Sequence, residues 1–213
     1  MAGMKLIDYL NTHFLSRERL LARCGIDEGR LGELQERGMM PQPSYRLRVE
    51  LSCDSFFGPH GERHAIDWYP QGASAWAGLL AALDDPRQAY GIFASRYRRR
   101  LARLGDDGLP AAGDALSGDA HIASEWRHFL DGTYGLCTRA GLPEEIAAKE
   151  AAIVLIRELT ALGAQQGLNE EQRRRLAAAV DLLDRVSAPF APHEVARSSR
   201  RRYVDEVRAT WLR

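Results

Sequence analysis

Lysine is nearly missing from this chain: Lys5 and Lys149 are its only two, and every other basic residue apart from histidine is arginine. Net charge is missing as well, with 29 basic residues set against 29 acidic ones. That balance excludes the broad positive field that drives nonspecific nucleic-acid binding. Cysteine is scarce, and its three copies, Cys24, Cys53 and Cys137, are widely spaced, which argues against a disulfide framework and against a paired-cysteine zinc site. No apolar run reaches the roughly 18 to 20 residues of a membrane span, and the amino terminus lacks a basic-then-apolar secretion pattern. A cytoplasmic protein without membrane contact is therefore expected. No cofactor-binding motif is present, and none is expected.

What remains is an ordinary globular composition, 45% hydrophobic and 27% charged, over 213 residues, long enough to bury a real core. Helical periodicity dominates. Ser16 and Asp27 are capping residues in front of two short helices that end at Gly25 and Gly38. Asp85-Pro86, Asp119, Pro143 and Asn169 open four more, and Pro192 opens a last one reaching Trp211. Residues 48 to 73 alternate weakly and then pass through an aromatic, glycine-bearing loop, which fits one short β element. GDDGLPAAGDALSG, residues 105–118, reads as a flexible linker. The expected fold is mostly α: a helix-turn-helix-like module over residues 1–47, packed on a larger helical domain over 48–213.

Two polar segments break the periodicity, GTYGLCTRAG at 132–141 and APFAPHEVARSSRRRY at 188–203. Packing alone does not require Tyr, Cys, His, Glu and paired Ser there, so both mark the expected site. Tyr134, Cys137, Thr138, Arg197 and Ser198 are the expected substrate-binding residues. His193 and Glu194 are the expected proton-transfer groups. Lys149 falls within an apolar arc with Ile153 and Ile156, where burial tunes a lysine, and its expected partners are Glu145 and Glu194. Cys137 near a helix start has the placement of a nucleophile, but a buried inert thiol is the preferred reading. His121, Glu125 and His128 share one helix face at ligand spacing, yet a second Glu-x-x-His is missing, and the apolar face of Ile122, Trp126 and Phe129 should turn that trio to solvent. No metal site is therefore expected, there or at His60, His64 and Asp67.

Residues 14–47, with a glycine and proline after the second helix and Tyr45-Arg46-Leu47 at the wing position, resemble the start of the mercury-resistance-regulator type of DNA-binding domain. Asp27, Glu28, Glu33 and Glu36 face only Arg30 and Arg37 there, which disfavours base readout. The amino-terminal segment together with GTYGLCTR, Lys149-Glu150 and FAPHEVARSSRRRYVDEVR resembles a bacterial domain-of-unknown-function family labelled natural product biosynthesis protein. The resemblance implies a role in specialised metabolism and supplies no reaction or catalytic residue. The expectation is a protein that binds and transforms a small amino-acid-like or carrier-tethered intermediate, with a biosynthetic protein as its partner. The alternatives are a helix-turn-helix regulator with a ligand-sensing helical domain, and a noncatalytic scaffold.

Overall fold

The computed structural model describes residues 5–83, 85–106, 109 and 113–212. The chain starts with helix α1 (Lys5–His13), strand β1 (Phe14–Ser16), α2 (Arg17–Cys24) and α3 (Glu28–Glu36). The Ser16 hydroxyl and the Asp27 carboxylate cap α2 and α3 by accepting from Arg19 N and Arg30 N, and Gly25 closes α2 in the left-handed conformation. A long hairpin follows, β2 (Tyr45–Ser55) and β3 (Gly58–Pro70), in an antiparallel sheet of order β1-β3-β2. One short β element is thus an underestimate. The outer part of the hairpin is exposed on both faces, so it carries no alternating apolar signal for a sequence reading to detect. Its tip holds Phe56 and Phe57, 97% and 96% exposed, packed edge to face on each other.

The rest is helical: α4 (Ala73–Leu80), α5 (Pro86–Asp106), α6 (Gly113–Ser117), α7 (Asp119–Leu130), α8 (Thr133–Cys137), α9 (Pro143–Gln166) and α10 (Glu170–Val186). Asn169 and Gln172 cap the start of α10 reciprocally, and Pro143 opens α9. Residues 107–108 and 110–112 of the expected linker at 105–118 lie outside the described residues; of the rest, α5 runs to Asp106 and α6 occupies Gly113–Ser117, so those parts are helix and not linker. Among the described residues no helix is long and apolar enough to cross a membrane.

The expected terminal helix from Pro192 does not form as one piece. A 3₁₀ turn at Val195–Arg197 comes first, and Ser198 then takes an extended conformation and accepts from Arg201 N at 3.0 Å. That cap starts the helix at Ser199, and the helix widens to a π-turn at Arg201–Asp205 before α11 (Glu206–Trp211). Val195, in the 3₁₀ turn ahead of that cap, is 40% exposed.

The main core joins α2–α5 and α7–α10 around Trp76, Phe93 and Phe129, with the Trp76 indole donating to Met39 O at 2.9 Å. A smaller core gathers Tyr9, Leu10, Phe14 and Trp68 around Ala191. Burying these side chains contributes about 1.5–3 kcal/mol each. The smaller cluster therefore ties the 188–203 segment to α1 and the sheet.

Candidate functional site

The glycines of the 132–141 segment are explained by close approach rather than by catalysis. Gly132 adopts φ 79°, and a Cβ there would lie 2.6 Å from Gln42 O. A Cβ on Gly135 would overlap Ser44 Oγ and meet the Pro70 ring. Ser44 Oγ donates to Gly132 O at 2.8 Å, Gln42 N to Leu130 O at 2.7 Å and Gly72 N to Ala140 O at 3.1 Å. This segment is the seam along which the helical remainder packs on residues 42–44 and 70–72.

The seam also sets where α8 aims its side chains. Tyr134, nearly buried, donates its hydroxyl to the Glu125 carboxylate on α7. Glu125 does not face solvent; it is 6% exposed, because position 125 lies on the same helical stripe as Ile122 and Phe129. His121 Nε2 and His128 Nδ1 each stand 3.9 Å from Glu125 Oε1, and the Tyr97 hydroxyl from α5 reaches His121 Nε2 at 3.2 Å. From α9, Lys149 places its ammonium 5.7 Å from the Tyr134 ring centroid and 2.8 Å from Glu150 Oε1. Four helices thus converge on one buried polar cluster. His128, with its side chain 52% exposed, is its most open member.

The electrostatics follow from burial. Desolvation, with a contribution from Glu150 and against Lys149, pushes the Glu125 carboxyl up to about 7. Burial works against the Lys149 charge, but Glu150 and Glu125, joined by Cys137 once that thiol ionises in the alkaline range, outweigh it and raise the lysine pKa. Burial likewise pushes the Cys137 thiol up to about 11, which leaves it a neutral thiol in neutral solution and an unsuitable nucleophile. Tyr97 is raised by burial and by Glu125 and Glu150. The arrangement provides a carboxyl that takes up and releases a proton near neutrality, backed by a fixed cation and a phenolic donor. Among the described residues no group of His, Cys, Asp or Glu could hold a metal ion.

The expected site residues fall into two groups. Tyr134, Cys137 and Lys149 belong to the buried cluster. Glu194 belongs elsewhere: its Oε2 accepts from the Tyr45 hydroxyl at 2.6 Å and from Ala191 N at 3.3 Å, while His193 lies 3.7 Å from its other oxygen. Lys149 takes neither expected partner, since Glu145 is held by Ala140 N at 2.6 Å and Glu194 by Tyr45. Ser198 spends its hydroxyl on Val195 O and Arg201 N, and Arg197 is exposed. Thr138, donating to Tyr134 O and accepting from Gly141 N, fixes the turn after α8. It also forms an isolated bridge with Ser187, so the two polar segments do meet, at residues 137–139 and 186–188. Glu150, Tyr97 and an inward Glu125 were the members not anticipated; the stripe position of Glu125 was the readable signal.

The polar cluster lies wholly within a stretch that known sequences recognise. Residues 89–212, more than half of the chain, match a family of unknown function, DUF6058. The chain belongs to that family. No curated protein and no solved structure matches it. The DUF6058 match takes in Tyr97, Glu125, Tyr134, Lys149 and Glu150 together with both polar segments, and leaves α1–α4 and the hairpin outside it.

Proposed function

We propose that this DUF6058 protein is an enzyme of specialised metabolism that transforms a small amino-acid-like or carrier-tethered intermediate by general acid–base chemistry. Glu125 is the proton-transfer group. The observation that supports this reading is a carboxyl buried among four helices with its pKa near neutrality, hydrogen-bonded by Tyr134 and facing a buried lysine. Lys149 holds a positive charge beside the site and favours an anion developing there. The substrate approaches from the side of His128, the most exposed member of the cluster, with His121 and Glu150 half-buried behind it.

The test is complementation of a deletion strain of the source organism with wild type, Glu125→Gln or Lys149→Met, followed by mass spectrometry of its metabolites. Glu125→Gln is expected to fold and to abolish formation of one product while its precursor accumulates. Restoration of the wild-type profile by a folded Glu125→Gln variant would exclude acid–base work at this carboxyl.

A second reading concerns the amino-terminal segment, read as a helix-turn-helix-like module whose wing is the β2–β3 hairpin and which binds a biosynthetic protein partner rather than DNA. The charge on α3 supports the protein partner, because Glu33 holds both Arg30 and Arg37 while Glu28 and Glu36 stay exposed. A salt-dependent shift of duplex DNA by the purified protein would favour the regulator instead.

A further inference from the structure

The two polar segments meet beside a cleft of about 270 Å³ that is separate from the Glu125 cluster. Its walls come from chain segments far apart in sequence: the end of α1 and start of β1, Gln71, residues 138–139 of the first polar segment and 188–189 of the second. We propose that this cleft is a binding site for a small carboxylic acid with a flat apolar body.

The chemistry of the walls selects that ligand. No lining residue is acidic, whereas Arg139 and His13 both line the cleft. Arg139 is exposed, and its guanidinium makes no hydrogen bond or ion pair among the described residues. Glu145, which feels the charge of Arg139, is already engaged by Ala140 N. His13 packs its ring on Tyr9 at 5.0 Å between centroids, and its imidazole nitrogens make no hydrogen bond among the described residues. Gln71 gives its amide oxygen to Arg23 at 3.1 Å, so its NH₂ group remains to donate. A guanidinium and an amide donor across one opening form a receptor for a carboxylate. Tyr9, Phe14 and Pro189 supply the apolar side, which suits a ring lying between them. The volume is at the small end for ligand cavities, so the fit is to a single-ring or indole-sized acid.

The backbone beside the cleft adds an independent sign. Phe190 adopts φ 61°, the one positive-φ residue other than glycine among those described. Such a conformation is unfavourable for a side chain with a Cβ and persists where the surroundings over-determine it. Here it joins Pro189, which lines the cleft, to Ala191, which is fully buried in the smaller core. The strained residue therefore fixes the cleft wall to the sheet.

The probes are acetate, benzoate and indole-3-carboxylate, with benzamide as the uncharged control, titrated into the full-length ¹⁵N-labelled protein and followed by NMR. Benzoate or indole-3-carboxylate is expected to bind saturably, to perturb residues 12–14, 71 and 138–139, and to bind at least about tenfold more tightly than benzamide. Acetate should be weaker for want of a ring. Arg139→Ala, at an exposed position, should fold normally and weaken binding by about ten- to a hundredfold, the value of a lost charge-assisted bond. Arg174→Ala, an exposed arginine on α10, should change nothing. Three results overturn the proposal: no saturable response to either ring acid up to ~10 mM, perturbations centred elsewhere, or equal binding by wild type and Arg139→Ala.

Discussion

The Tyr134 hydroxyl donates to Glu125, so that α8, a helix of one and a half turns, locks onto the middle of α7. Burial and the neighbouring Glu150 carboxylate, not this bond, make the protonated carboxyl the more stable form. The ordinary carboxyl value is 4.5 and the folded one about 7, so Glu125 stabilises the fold fully below its unfolded pKa and loses that contribution as pH rises through about 7. The loss is about 3 kcal/mol. Glu125→Gln, which keeps an acceptor for Tyr134 but cannot ionise, is expected to flatten the stability profile between pH 5 and 8 and to exceed wild type at pH 8. Urea denaturation at several pH values measures this; a parallel decline in wild type and variant would place the ionisation elsewhere.

Lys149 is the cation that opposes the negative members of this cluster. Lys149→Met removes it and leaves Glu150 and Glu125 to repel each other across α9 and α7. The expected cost is about 1–4 kcal/mol, below the full value for a deeply buried pair because Glu150 retains some solvent contact. It should be larger at pH 8, where Glu125 is ionised, than at pH 5. Equal destabilisation at both values would mean that Lys149 acts through packing alone.

The seam makes an opposite-sign prediction for two glycines. Gly91 in α5 has open space where a Cβ would go, so Gly91→Ala should stabilise the protein by about 0.5–1 kcal/mol. Gly135 in α8 has Ser44 and Pro70 in that space, and Gly135→Ala should destabilise by about 1–3 kcal/mol despite the better helix propensity of alanine. Thermal unfolding of the two variants side by side decides whether the glycine-rich segment is a packing device.

Capping residues made the helices legible: Ser16, Asp27, Asn169 and Pro143 each act locally and each sits where its helix begins. The hairpin was not legible, because Val49 pairs with His64 and Leu51 with Glu62, and a strand whose two faces both meet water needs no alternation. Glu125, expected to face solvent opposite Ile122, Trp126 and Phe129, instead shares the stripe of Ile122 and Phe129 and turns inward. For Glu194 the obstacle was range: its donor, Tyr45, stands 149 residues earlier, and no local pattern carries such a contact.

The hairpin tip offers a test with a null expectation. Phe56 and Phe57 pack edge to face on each other and are almost fully exposed. Replacing both with Ser should change the stability of the isolated protein by less than about 0.5 kcal/mol. A larger loss in thermal unfolding would show that the tip is covered in solution.

Tyr45 and Glu194 hold the second polar segment to the sheet through a bond of 2.6 Å. Burial and the neighbouring Glu194 carboxylate raise the pKa of this phenol, so it remains a donor throughout the neutral range. Tyr45→Phe deletes the donor and leaves that oxygen of Glu194, among the described residues, with Ala191 N alone, at a cost of about 1–2 kcal/mol. Because Ala191 also anchors the smaller core, the effect should concentrate there. Hydrogen exchange is expected to speed up at residues 191–198 and along β1 while the amides of α9 and α10 keep their protection. Uniform loss of protection across all helices would instead mean that the segment and the bundle unfold as one unit.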